Sequence, residues 1–184
     1  MSLAIDSIEA LDAAPAGEFA AAVAPLFEGA PAFLVRLAAA RPFGSWPALF
    51  ERARGIAHEM PEPEQVELVD AHPRLGAPPA EVSKLSFGEQ GYDRDLAATL
   101  AADVARERDR LVTELERLNR AYETRFGFRY CVFVAGRSRS ELLPGMAAAL
   151  ARERDSELHR ALDAVVDIAV DRQRRLAEPE VPSG

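Results

Sequence analysis

Residues 155–177 read DSELHRALDAVVDIAVDRQRRLA, and this stretch decides the fold. Leu158, Leu162, Val165, Ala169 and Leu176 follow one another at spacings of 4, 3, 4 and 7, which draws one apolar stripe down a helix. Arg172 falls on that stripe, whereas Arg174 and Arg175 fall off it. A charged side chain facing inward is costly unless it is paired. Two readings stand open for Arg172. It meets a buried acid in a structural salt bridge, or its guanidinium fork receives an anionic ligand such as a carboxylate.

The helical period runs back through the chain. A long helix is expected over 93–125, with Leu96, Leu100, Val104, Leu111, Leu115, Leu118 and Tyr122 in register. The next stretch, FGFRYCVFVAG (126–136), is apolar, short and β-like, and is expected to be an extended, buried connection. Helices over 140–152 and 155–177 close the chain. Towards the N-terminus, a helix is expected over 18–28, with Phe19, Val23, Leu26 and Phe27 on one face, and another over 31–40, started by Pro31. Ser45 caps a third, with Pro47 in its first turn and Trp46, Leu49, Phe50 and Ile56 facing inward. A short helix after Pro63 ends before His72, because a residue ahead of proline avoids the α region. Residues 73–86, with Gly76, Pro78 and Pro79, read as loop. The fold class is therefore all-α: a single-domain multi-helix bundle over 1–184, core about 18–177, with one short extended segment and a frayed tail at 178–184.

Bulk properties narrow the function classes. Of the 184 residues, 48% are apolar and 28% charged, an ordinary globular balance. The net charge of −8 repels phosphate backbones, and the basic residues form no patch, so nucleic acid is not an expected partner. The one cysteine, Cys131, excludes an internal disulfide. No run of about 18 apolar residues offers a membrane span. The N-terminus lacks a basic n-region, and the final VPSG is not a peroxisomal address, so a cytoplasmic location is expected.

Three histidines are present. His58 and His159 lie in charged helical segments and read as solvated. No pair has metal-ligand spacing, so no metal is expected. His72 differs, because it sits in AHPRLG at a helix-to-loop boundary with its backbone constrained by Pro73 and a turn at Gly76. Catalytic residues concentrate on rigidly held loops, yet a cap on the preceding helix is an equally simple role. Ser86-Phe87-Gly88-Glu89-Gln90 is the second feature. Ser-x-x-Glu is a capping box, and the same helix N-terminus suits an anion. Gly88 admits close approach, and the Gln90 amide both donates and accepts. This segment alone does not separate capping from ligand binding.

AHPRLG, then S-x-x-E-Q, then LNRAYETRFGF with an apolar segment and GRSR, together resemble the OHCU decarboxylase family (2-oxo-4-hydroxy-4-carboxy-5-ureidoimidazoline decarboxylase). The likeness extends over about residues 20–177. It implies an all-α, usually homodimeric enzyme without metal or organic cofactor. Its reaction is decarboxylation of a small anionic heterocycle to (S)-allantoin and CO₂ in urate breakdown.

The resemblance also implies residue roles. His72 is the proton donor, with Pro73 lining the site, and Glu89 and Arg172 complete the catalytic set. Ser86, Phe87, Gly88, Glu89 and Gln90 contact substrate, as does the backbone of Cys131, Val132, Phe133, Val134 and Ala135. In the expected mechanism Arg172 orients the anion, backbone N–H groups stabilise developing charge, Glu89 and Gln90 grip the ring, and His72 delivers a proton to one face. The chain departs from the family at Gly91-Tyr92-Asp93 and at FGFRY, where FGFPF is common. Two alternatives remain: the same scaffold acting on a related ureido or imidazole acid, and a non-catalytic helical binding module.

Overall fold

The computed structural model describes residues 7–90 and 102–177. Among the described residues there is no strand, and no helix is long and apolar enough to cross a membrane. The chain forms two compact units. One holds the residues up to Ala71 and those from Leu162 onward, and the other runs from His72 to Ala161.

The first unit begins with α1 (Ile8–Ala13), capped by Ser7, whose hydroxyl accepts from the Ala10 N–H. Helix α2 (Ala16–Val23) then tightens into a 3₁₀ turn, Ala24–Phe27, and ends at Glu28 in the left-handed region. The expected 18–28 helix is therefore broken, and Pro25 is the reason: it lacks an N–H and crowds the preceding turn. Helices α3 (Pro31–Ala39), α4 (Trp46–Glu59) and α5 (Glu62–Asp70) follow as the sequence suggests. The Ser45 hydroxyl accepts from the Ala48 N–H. Trp46 is only half-buried, stacked on Phe50 at 5.9 Å. The core joins Phe19, Leu26, Phe27, Phe33, Leu37, Leu49 and Leu68 to Leu162, Val165 and Ala169 of the last helix, all sealed from solvent.

His58 departs from the solvated reading. Its Nε2 lies 2.9 Å from Asp163, which Arg54 also grips, along with Asp167. Burial pushes the Asp163 carboxyl up, but His58 and Arg54 outweigh it and hold it low. His159 is exposed.

The second unit contains α6 (Lys84–Glu89), α7 (Ala102–Phe126) and α8 (Arg139–Ala149), together with the residues to Ala161 of α9 (Arg154–Ala177). The start of the expected 93–125 helix, with Leu96 and Leu100, lies outside the described residues. Between α7 and α8 the chain has no regular structure, in keeping with the expected apolar connection. Tyr122, Phe126, Phe128 and Tyr130 form an aromatic cluster there, with centroids 4.6 to 5.9 Å apart.

Glu157, fully buried, ties this cluster together. It accepts from the Tyr122 hydroxyl at 2.8 Å, Arg152 Nη1 at 3.0 Å and Arg160 Nε at 2.8 Å. The Arg160 guanidinium also lies over the Tyr130 ring at 5.1 Å. Burial pushes the Glu157 carboxyl up, and the three donors together more than reverse this, holding it below the usual carboxylate range.

Candidate active site

His72 follows the C-terminal end of α5, and it is 5% exposed with its Nε2 sealed from solvent. Behind it the chain turns at once. The Ala77 N–H donates to the Arg74 carbonyl at 3.1 Å, and Gly76 sits at φ +78°. Glycine is required at 76 for two reasons. The left-handed backbone disfavours a side chain, and a Cβ there would lie 2.8 Å from Leu115 Cδ1 on α7.

Side chains from elsewhere in the unit hold this loop. Gln90 uses both ends of its amide on it: Oε1 accepts from the Gly76 N–H at 2.8 Å, and Nε2 donates to the Arg74 carbonyl at 3.3 Å. Asn119 on α7 donates from Nδ2 to the Leu75 carbonyl at 3.0 Å. Arg129 donates from Nη1 to the carbonyl of His72 itself at 3.2 Å. The Arg74 guanidinium makes a two-pronged ion pair with Glu123. A loop without secondary structure must satisfy its backbone groups through such partners.

The second sequence feature requires a correction. Helix α6 starts three residues earlier than a Ser86 cap demands, and Ser83 is its N-cap, accepting from the Ser86 N–H at 3.2 Å. Ser86 therefore lies inside the first turn with its N–H already used, and Ser86-x-x-Glu89 is not a capping box. The helix N-terminus proposed as an anion site is not at Ser86. The competing cap was Ser83, three residues before Ser86, with the same preference for that position. Among the described residues a capping box stands instead at Ser138 and Glu141, where both reciprocal bonds are present.

Within α6, Ser86 and Gln90 are buried, one helical turn apart. Phe87 and Glu89 are half-exposed and Gly88 is exposed, with open space where a Cβ would stand. The Gly91-Tyr92-Asp93 departure lies outside the described residues. In the apolar connection, Cys131 and Val134 are buried, Val132 and Phe133 half-buried, and Ala135 exposed at φ +51°. The Arg137 guanidinium takes the carbonyls of Phe133 and Val134. His72, Pro73, the 86–90 stretch and 131–135 thus share one unit. Gln90 ties the 86–90 stretch to the backbone at Arg74 and Gly76, and Arg129, two residues before Cys131, reaches the His72 carbonyl.

Arg172 belongs to the other unit. It is 1% exposed, so the stripe argument placed it correctly inward. Nη1 donates to the carbonyls of Pro25 and Leu26 at 3.0 and 3.3 Å, and Nη2 meets Glu28 Oε1 at 2.7 Å. The buried acid of the first reading exists, and the carbonyls come from the 3₁₀ turn that Pro25 creates.

Sequence reading missed Asn119, Arg129 and Glu157. Asn119 and Glu157 carry the signal that singled out Arg172. Asn119 falls among Leu115, Leu118 and Tyr122 on the buried stripe of α7, and Glu157 precedes buried Leu158 and stands one turn before Ala161. Arg129 gave no such signal. Among the described residues, no group of three or more His, Cys, Asp or Glu side chains is disposed to hold a metal ion.

Comparison with known proteins now bears on this geometry. A family model described as OHCU decarboxylase matches residues 12–174, covering residues of both units. The uric acid degradation bifunctional protein PucL of Bacillus subtilis is 29% identical over 144 residues, 78% of this chain and 27% of that protein. The 2-oxo-4-hydroxy-4-carboxy-5-ureidoimidazoline decarboxylase of Halalkalicoccus jeotgali is 27% identical over 177 residues, 94% of this chain and 93% of that one. The chain spans about a quarter to a third of the length of the bifunctional Bacillus proteins it matches. A solved structure described as OHCU decarboxylase in the presence of (S)-allantoin shares the fold, with a TM-score of 0.60 and 23% identity, over 80% of this chain and 92% of that one.

Proposed function

Because the chain belongs to the OHCU decarboxylase family, we propose that it decarboxylates 2-oxo-4-hydroxy-4-carboxy-5-ureidoimidazoline to (S)-allantoin and CO₂ in urate breakdown, with His72 as proton donor. The observation that carries this reading is His72 itself. It is a buried imidazole on a loop whose backbone is fastened at residues 72, 74, 75 and 76 by Arg129, Gln90 and Asn119. A surface cap would need no such fastening. The curated relative of matching length supports the substrate.

The bond between the ring carbon and the carboxylate breaks, CO₂ leaves, and the electron pair passes into the ring and its heteroatoms. His72 then gives its proton to one face, which sets the S configuration, and regains it from solvent. Glu89, half-exposed at the end of α6, binds the ring nitrogens and orients the imidazole. Ser86, Phe87, Gly88, Pro73 and the backbone of 131–135 complete the substrate contacts. Gln90 acts at least in part through the loop it holds. Arg172 receives the substrate carboxylate in this reading, supported by its match to the family's C-terminal arginine, while its pairing with Glu28 supports a role in the 3₁₀ turn.

A homodimer, a cytoplasmic setting and one domain over 1–184 belong to the same proposal. The departure at Arg129 favours one second reading, a related ureido acid as substrate. Freshly generated substrate assayed against its spontaneous decay, with chiral analysis of the allantoin, tests both.

A further inference from the structure

We propose that Asn119 and Arg129 are positioning residues for His72, setting the imidazole by holding the peptide planes that follow His72 and Leu75, on either side of the Pro73–Leu75 segment. The inference deepens the decarboxylase reading and rests on it for its kinetic arm.

Four observations carry it. The loop from His72 to Ala77 has no regular secondary structure, so the peptide orientation at His72 is set by whatever its carbonyls meet. Arg129 Nη1 meets the His72 carbonyl, 57 residues away in sequence, and Asn119 Nδ2 meets the Leu75 carbonyl, 44 residues away. Neither is a local turn contact. Asn119 is buried on a helix face otherwise lined by Leu115, Leu118 and Tyr122, where an apolar residue would serve packing without a polar group to satisfy. Arg129 lies in the irregular connection between α7 and α8, and its side chain leaves that segment to reach the His72 carbonyl.

These contacts matter for chemistry because a proton donor works only within hydrogen-bond reach of its target. A misplacement of about 1 Å can cost on the order of a hundredfold in rate. Gln90 holds the turn at Arg74 and Gly76, Asn119 holds Leu75 between them, and Arg129 holds the residue that carries the imidazole. Removing the Arg129 or the Asn119 contact lets the His72 peptide rotate while the fold of the unit persists.

The test compares the full-length chain with Asn119→Leu, Arg129→Met and Arg129→Lys. Three quantities are read: amide hydrogen exchange over 72–77, the titration of the His72 ring by NMR, and kcat, KM and the pH–rate profile. For Asn119→Leu and Arg129→Met we expect loop exchange to rise about tenfold or more with the helices unchanged. The His72 titration shifts, kcat falls roughly tenfold, and KM stays within about twofold. Arg129→Lys keeps a donor and recovers most of the loss. Unchanged loop exchange and an unchanged His72 titration overturn the inference, whatever happens to Tm. A raised KM with kcat intact overturns it too, since the residue then binds substrate directly. If Asn119→Leu does not fold, the half-exposed Arg129 pair decides alone. A wild-type protein with no rate above spontaneous decay defeats the decarboxylase reading, while exchange and titration still decide the positioning.

Discussion

Gln90 Oε1 accepts the Gly76 N–H at 2.8 Å, so a side-chain amide serves as the backbone partner of the turn behind His72. Replacing it with an apolar side chain of similar length strands that N–H and one bond to the Arg74 carbonyl. Gln90→Leu is expected to lose about 1–3 kcal/mol in urea unfolding. It should also accelerate Gly76 amide exchange and lower kcat. Unaltered exchange at Gly76 would show that the bond does not hold the turn.

Gly76 itself tolerates no side chain. Its positive φ and the 2.8 Å approach of a Cβ to Leu115 Cδ1 act together. Gly76→Ala is expected to destabilise by about 1–3 kcal/mol. Adding Leu115→Ala removes the clash and keeps the backbone strain, so the double variant should lose less than the sum of the two. Strict additivity in denaturant would rule out the steric part.

The Glu157 hub gives stability a pH dependence. Its folded pKa lies below the ordinary value of 4.5, so the carboxylate's contribution is complete above that value. It is lost as pH falls through the depressed folded value. Glu157→Gln leaves Arg152 and Arg160 without their shared anion, and breaking such a buried pair costs about 3–5 kcal/mol. Urea midpoints between neutral pH and pH 3 should fall more steeply in wild type than in the variant. Parallel curves would remove Glu157 from the acid limb.

Arg172 and Glu28 give a fourth outcome. Arg172→Met removes the ion pair to a largely buried Glu28 carboxylate and the donor to two carbonyls, contacts of 2.7 to 3.3 Å. A loss of about 3 kcal/mol is expected, with strong coupling to Glu28→Gln in a double-mutant cycle. If Arg172 also anchors the substrate carboxylate, folded Arg172→Lys protein raises KM for freshly generated 2-oxo-4-hydroxy-4-carboxy-5-ureidoimidazoline, while its affinity for (S)-allantoin, which lacks that carboxylate, stays close to wild type. An unchanged KM in that protein would confine the arginine to the turn.

Periodicity made most of the helices legible, because burial of one stripe is written into the spacing of Leu158, Leu162, Val165 and Ala169. It also exposed Arg172, since a charge on that stripe needs a partner. Spacing could not identify the partner as Glu28, which lies 144 residues away. The break after Val23 was written in Pro25 but masked by an apolar face that continued through Leu26 and Phe27. At 83–90 two serines competed for one cap, and local preference alone could not choose Ser83 over Ser86. His72 stood out by its flanking Pro73 and Gly76. Of the side chains that hold its loop, Gln90 already stood in the second motif, Asn119 could have been suspected as a polar residue on a buried stripe, and Arg129, 57 residues from His72, carried no such signal.

The most direct measurement compares wild type with His72→Asn on freshly generated 2-oxo-4-hydroxy-4-carboxy-5-ureidoimidazoline, following substrate loss and the handedness of the allantoin by circular dichroism. Wild type should outrun spontaneous decay and give only the S product. The variant should stay folded, fall by about a hundredfold or more in rate, and yield racemic allantoin at the spontaneous pace. A folded His72→Asn protein within tenfold of wild type, still making only (S)-allantoin, would contradict His72 as the proton donor.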